Sequence, residues 1–298
     1  MDEPFAPDLL AKAAARWPNR IALRAGDLHV AFSDLDDAAR ESAARVAAGS
    51  RVAFRAEMSP ASVASVWGIQ RAGGVAVPID PQLDVAAAAQ LADHFEATLG
   101  RPPPRDPDES KPDPSLDQPA LIVATSGTGG RPRGVVLTRG NIEAAAAASR
   151  LHLGTRSSDV WLLAMPLHHV AGLAILWRSV HDGSQVVLHQ GFEPRAVAEA
   201  LRDDVTWVSL VPTMLRRLLD TQLGPWPGVR GALIGGAHVD ETLLAAANAA
   251  GLAAVPTYGM TETGGQISTV RPSDREAAAG TVGHPLPGVS VSVDAPPG

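Results

Sequence analysis

"VATSGTGGRPRGVVLT", residues 123–138, sets four glycines, two arginines and a Thr-Ser-Gly-Thr run between two short apolar stretches. Glycine lets backbone approach a ligand closely. Successive backbone N–H groups in such a loop form a concave anion site, and Ser and Thr hydroxyls add donors to it. Arg131 and Arg133 supply positive charge. The stretch reads as a buried strand, a cradle for a polyphosphate and a second strand. It also fits an ordinary Gly/Pro-rich surface loop, and the rest of the chain decides between the two.

Two familiar phosphate loops are excluded by spacing. The pattern GxxxxGK[ST] needs Lys and then Ser or Thr after its last glycine, whereas Gly134 is followed by Val135, Val136 and Leu137. In GxGxxG counted from Gly127 and Gly129, Pro132 stands where the third glycine belongs.

The 298 residues suffice for one large domain or two ordinary ones with a substantial core. With 45% hydrophobic and 19% charged residues, the composition is that of a globular protein. A net charge of -7 argues against a general nucleic-acid binder, so the phosphate-seeking loop points to a small nucleotide. The absence of cysteine excludes disulfides, thiolate metal sites and a cysteine nucleophile. The start, MDEPFAPDLL, lacks the basic-then-apolar order of a signal peptide, and no apolar run approaches a membrane span. The expectation is a cytoplasmic protein without membrane partners.

Along the first hundred residues helix and strand signals alternate. Ser33 reads as the N-cap of an alanine-rich helix, and 51–56 as a strand. Ser59 and Pro60 open a helix whose buried face carries Val63, Val66, Trp67 and Gln70, stopped by Gly73 and Gly74. With 75–80 as the next strand, this is a βαβ unit with parallel pairing. Residues 100–118, dense in Pro and charge, read as a linker. Beyond it, 119–124 is a strand, Asn141 opens a helix, and strands follow at 159–166, 184–190, 205–212, 231–236 and 253–260. Helices are expected in 193–204 and 240–251. The organisation expected is an α/β fold. A first α/β subdomain spans 1–99, the linker 100–118, a second α/β subdomain with the ligand sites 119–275, and the start of a β subdomain 276–298.

In open α/β sheets ligands collect at the carboxyl ends of strands. Four distinctive stretches fall there: the quoted loop, "PLHHVAGL" (166–173), "LIGGAHV" (233–239) and "TYGMTETGGQ" (257–266). The last brings the chain's only tyrosine, Tyr258, together with Thr261 and Glu262. A carboxylate beside a phosphate loop makes sense with a cation between them, and Mg²⁺ is commonly held by one or two carboxylates plus phosphate oxygens. Taken alone, Glu262 also describes a solvated acid, and Tyr258 a packing residue.

These stretches, in this order, resemble the adenylate-forming acyl-CoA ligase superfamily. "TSGTGGRPRGV" is similar to its phosphate-loop signature, "PLHHVAGL" to its acid-pocket segment, and "LIGGA" and "TYGMTE" to its adenine-facing stretches. "GTVGHPLPGV" (280–289) and "GGVAVPIDPQL" (73–83) match further segments. Within the superfamily, 159–180, 186–192 and 258–270 look most like the o-succinylbenzoate–CoA ligase branch of menaquinone biosynthesis. Other aryl- or fatty-acid CoA ligases, adenylation domains and a non-catalytic nucleotide-binding module are the alternatives.

The resemblance implies a two-layered α/β N-terminal domain that activates a carboxylic acid with ATP and Mg²⁺, then passes the acyl group to CoA. It implies that Thr125, Ser126, Gly127, Thr128, Gly130 and Arg133 hold the β- and γ-phosphates. Gly235, Gly236 and Ala237 lie beside adenine and Tyr258 stacks on it, with Thr257, Gly259 and Met260 completing the nucleotide site. Thr261 touches the α-phosphate, Glu262 binds Mg²⁺, and His169, Gly172 and Gly259 shape the acid pocket. Arg133, His169, Thr261 and Glu262 are the catalytic candidates. Arg133 and Gly129 depart from the usual lysine and threonine. His168 stands where an aromatic is common. A His168–His169 metal site is not expected, because neighbours on a strand point to opposite faces. The superfamily's ribose-binding aspartate, hinge and mobile domain with its lysine would lie beyond Gly298. This chain alone would then bind nucleotide and make acyl-adenylate poorly, with homo-oligomers possible.

Overall fold

In the computed structural model, residues 8–100, 115–125, 131–275 and 280–293 are described. The first helix, α1 (Leu9–Arg16), starts where the Asp8 carboxylate accepts the Ala11 N–H at 2.8 Å. A hairpin follows, β1 (Ile21–Ala25) against β2 (Leu28–Ala31), turning at Gly26 with φ +57°. Helix α2 (Phe32–Ala43) begins before the expected cap. Ser33 already lies inside it and donates to the Pro18 carbonyl at 3.0 Å, while the Asp34 carboxylate accepts the Ala31 N–H. The βαβ unit is present as read: β3 (Arg51–Arg55), α3 (Pro60–Arg71) capped by Ser59, and β4 (Val75–Ile79), with β3 and β4 parallel from Arg51↔Val75 to Arg55↔Ile79.

Next come α4 (Val85–His94), β5 (Thr98–Leu99), β6 (Pro119–Thr125) and β7 (Arg133–Thr138), the last two antiparallel. The expected linker falls largely on 101–114, outside the described residues. Helix α5 (Arg139–Leu153) starts two residues before the expected Asn141. Thr138 caps it by accepting the Asn141 N–H, and the Asn141 side chain accepts the Thr138 N–H in return.

From here strand and helix alternate: β8 (Val160–Leu163), α6 (Val170–Asp182), β9 (Gln185–Leu188), α7 (Pro194–Ala200), β10 (Trp207–Leu210), α8 (Pro212–Leu219), β11 (Gly231–Ile234) and α9 (Glu241–Ala249). The chain closes with β12 (Ala254–Met260), β13 (Gly265–Thr269) and β14 (His284–Pro285). Each expected strand is there, most of them trimmed at their ends, while β6 runs one residue past its expected end. None of the described helices is long and apolar enough to cross a membrane.

The strands do not sort by the expected boundaries. One sheet runs β5-β3-β4-β6-β7 and the other β14-β13-β12-β11-β10-β8-β9-β1-β2. The N-terminal hairpin therefore belongs to the larger sheet, and β6 and β7 to the smaller. The reason is edge coverage: β9 would otherwise present an unpaired edge, and β1 covers it in parallel at Leu23↔Val186. In the same way β6, buried along Ala120–Val123, lies parallel to β4 at Ala76↔Leu121. The main core is continuous across both sheets, with Phe32, Trp67, Leu121, Trp161, Trp177 and Trp207 in one cluster.

A buried ion cluster fixes the N-terminal segment to this core. Arg71 on α3, 4% exposed, meets Asp8 at 2.8 Å through Nε and Asp36 on α2 at 2.6 Å through Nη2. Burial works against its charge, yet the two carboxylates outweigh that penalty and its pKa is raised. Arg71→Met removes the cation that two buried carboxylates share and leaves Asp36 only its contact with the half-exposed Arg40 at 2.9 Å. Loss of ~3–5 kcal/mol in unfolding free energy is expected, measured by urea denaturation at pH 7. A change below ~1 kcal/mol would show that solvent reaches and compensates the two acids.

Candidate functional site

Short polar turns at the carboxyl ends of β6, β8, β10, β11 and β12 open into one cavity of about 690 Å³. Both sheets contribute to it. Thr125 and Arg133, from β6 and β7, face the wall built by β10 to β13 and by α6. The parallel strands end there, so their terminal backbone groups and the residues just after them are the ones that meet a ligand.

The cavity gathers Thr125, Arg133, His169, Gly235, Gly236, Thr257, Gly259, Met260, Thr261 and Glu262 from the residues singled out in the sequence. Ala237 is exposed and does not line it. Tyr258, 45% exposed, does not line it either. Ser126, Gly127, Thr128 and Gly130 lie outside the described residues. Gly172 is buried in the first turn of α6, away from the cavity wall, and has a different task. A Cβ there would lie 2.4 Å from the Pro166 carbonyl oxygen, so its small size lets the helix start against the preceding turn.

Strand alternation does not apply to His168 and His169. Both follow β8 in a turn, and His169 is the N-cap of α6. Their rings come together at 4.3 Å between centroids, and His168 Nε2 lies 3.9 Å from Asp80. No group of three or more His, Cys, Asp or Glu that could hold a metal occurs among the described residues. Glu262 with the Thr125 and Thr261 hydroxyls is instead a sparse set of hard oxygen donors. That suits Mg²⁺, which takes most of its ligands from phosphate and water.

Several lining residues escaped the sequence reading, and two of them carry large polar side chains. Arg178 lies on α6, within the apolar run Leu173–Val180, and is 5% exposed. Its guanidinium stands 5.1 Å from the Trp161 ring, and its Nη1 has no hydrogen-bond partner among the described residues. Burial lowers its pKa to about 10, against the opposing pull of Asp182. The signal in the sequence was this single charge inside an otherwise apolar helical face. Gln266 on β13 is the second. It spans from Ser149 on α5, at 2.8 Å, to Thr257 on β12, at 2.9 Å.

Close packing holds the β12–β13 wall in place. A Cβ at Gly259 would lie 1.9 Å from the Gly265 carbonyl oxygen, which no side chain survives. On the far side of β13, the ring of His152 on α5 bonds through Nε2 to the Thr269 carbonyl at 2.9 Å.

Residues 10–101 and 95–297 match the model of the AMP-binding enzyme family. The 2-succinylbenzoate–CoA ligase of Bacillus licheniformis is 33% identical over 322 residues, covering 97% of this chain and 66% of that protein. The chain thus spans just under two thirds of that relative. The o-succinylbenzoate CoA synthetase (MenE) of Bacillus subtilis, solved with the acyl-adenylate intermediate OSB-AMP, superposes with a TM-score of 0.84 at 30% identity. That match covers 94% of this chain and 81% of the other. The same enzyme solved with ATP and magnesium gives 0.82 at 29% identity, covering 94% and 65%.

Burial lowers the pKa of His152 below its ordinary value of 6.5, and the Arg271 and His284 charges act in the same direction. The unfolded chain therefore takes up this proton first as pH falls. The associated stability is complete above about pH 6.5 and is lost as pH drops through the folded value. Urea unfolding at pH 7.5, 6 and 5 should show declining stability, with a shallower slope in His152→Gln. Equal slopes in the two proteins would remove His152 from the pH response.

Proposed function

The chain belongs to the AMP-binding enzyme family, and on that footing we propose that it forms the ATP- and acid-binding part of a 2-succinylbenzoate–CoA ligase of menaquinone biosynthesis. The carrying observation is Arg178. A buried guanidinium whose Nη1 has no hydrogen-bond partner among the described residues costs stability, so its place in the cavity wall is best accounted for by an anion that arrives with the ligand. In this reading the nucleotide phosphates go to Arg133 and Thr125, on β7 and β6. A second carboxylate on the acid is the remaining candidate for Arg178. 2-Succinylbenzoate carries two, and a fatty acid carries one.

The chemistry is two displacements. A carboxylate oxygen of the acid attacks the α-phosphorus of ATP, the bond to the bridging oxygen breaks, and pyrophosphate leaves. The thiolate of CoA then attacks the acyl carbonyl and AMP leaves. In the first step this chain's part is placement and charge. Arg178 anchors the far carboxylate, which sets the near one against the α-phosphate beside Thr261. Gly235 and Gly236 let adenine approach the backbone closely. Arg133 and Thr125 neutralise and orient the departing pyrophosphate. Glu262 would hold Mg²⁺, which supplies charge compensation for the phosphates when bound.

Titration calorimetry on the 298-residue chain tests the reading. 2-Succinylbenzoate should bind more tightly than 4-oxo-4-phenylbutanoate, which lacks the ring carboxylate, by about 2 kcal/mol or more. Arg178→Met should abolish that preference while leaving the fold as stable or more so. A long-chain fatty acid binding as tightly as 2-succinylbenzoate would overturn the assignment. On the nucleotide side, Glu262→Gln should weaken Mg·ATP far more than it lowers the unfolding midpoint. Arg133→Ala should weaken ATP more than AMP, and equal losses would contradict its place at the terminal phosphates.

A further inference from the structure

Gln266 has an amide whose direction is fixed by its neighbours. The Thr257 hydroxyl has one proton, which it gives to the Ser268 carbonyl at 3.0 Å. Toward Gln266 Nε2, 2.9 Å away, that hydroxyl oxygen can therefore only accept. At the other end the Ser149 hydroxyl donates to Gln266 Oε1 at 2.8 Å. Turning the amide over would set its oxygen against the Thr257 oxygen, two acceptors face to face. While Thr257 donates to Ser268, the chain Ser149 to Gln266 to Thr257 to Ser268 thus runs in one direction.

An amide nitrogen carries two protons, and Thr257 takes one. Gln266 lines the large cavity, as does Arg178, and the two also border a common void of about 10 Å³ together with Ser149. Resting on the dicarboxylate reading above, we infer that Gln266 is a specificity-determining residue. Its second Nε2–H donates to the same carboxylate that Arg178 binds, and Ser149 is the positioning residue that keeps the nitrogen turned toward it. A carboxylate oxygen has lone pairs beyond those a single guanidinium N–H engages, and in a desolvated pocket each unmet one is costly. An apolar acyl tail would leave both donors unmet, so the pair discriminates against it.

The test is the affinity ratio of 2-succinylbenzoate to 4-oxo-4-phenylbutanoate, measured by calorimetry on the 298-residue chain and its variants. Gln266→Leu should lower the ratio roughly tenfold or more, the cost of a lost hydrogen bond to a charged group. Ser149→Ala, at a residue outside the large cavity, should lower it severalfold, and Ser149→Thr should restore it. A merely structural role for Ser149 would weaken both acids alike and leave the ratio unchanged. Nuclear magnetic resonance supplies a readout independent of the variants. The side-chain amide signals of Gln266 in the ¹⁵N-labelled parent should shift with 2-succinylbenzoate and stay in place with 4-oxo-4-phenylbutanoate.

An unchanged ratio in Gln266→Leu and Ser149→Ala, with Arg178→Met abolishing it, would overturn this inference and leave the dicarboxylate reading standing. An amide signal that ignores 2-succinylbenzoate would do the same. A parent chain that binds the two acids equally would overturn both.

Discussion

Leu23 beside Val186 and Ala76 beside Leu121 are the pairings on which the rest of the molecule depends. The first carries a strand from the start of the chain into the sheet built by its second half, and the second joins β6 to the smaller sheet begun by β3 and β4. The arrangement has two effects. It covers the open edge of β9 and seats β6 beside β4, and it makes the core around Trp67, Trp161 and Trp177 common to both sheets. The cavity is a product of the same arrangement. β6 and β7 bring Thr125 and Arg133 to it from the smaller sheet, and the larger sheet supplies everything opposite.

Local signals in the sequence carried a long way. Glycine and proline punctuation around short apolar runs marked most of the parallel strands, though not β1 or β5, because buried strands favour apolar, often β-branched runs ending in a turn. Ser59 and Pro60 marked a helix start for an equally local reason. What depended on distant contacts was not legible. Nothing in "IALRA" says that it pairs with residues some 160 positions later, so sheet membership could not be read from position along the chain. Helix starts at Phe32 and Arg139 slipped by one or two residues, because Asp34 and Thr138 compete as caps with Ser33 and Asn141.

The site divides in the same way. Its proposed phosphate end is written in residues that are unusual in series, a run of small, hydroxylic and basic groups. The proposed acid end is written in single residues that look ordinary in series. Arg178 stands inside a helix that reads as core, and Gln266 inside a strand of mixed polarity. Their interest comes from what surrounds them: among the described residues, an Nη1 without a hydrogen-bond partner for one and two side-chain partners for the other. The His168–His169 pair shows the reverse error. Treated as strand neighbours they point apart, but in a turn the backbone reverses and their rings meet.

The Trp161 indole lies stacked on Trp207 at 5.3 Å, with planes 23° apart, while the Arg178 guanidinium sits 5.1 Å from the Trp161 ring on the cavity side. That geometry makes the protein its own optical instrument. Two indoles so close and nearly parallel share their electronic excitation, giving a paired signature in near-ultraviolet circular dichroism. A cation beside one of them biases its excited-state dipole. An anion bound at Arg178, as proposed, would change the field at this indole. Tryptophan fluorescence and near-ultraviolet circular dichroism would then report whether that part of the cavity is filled.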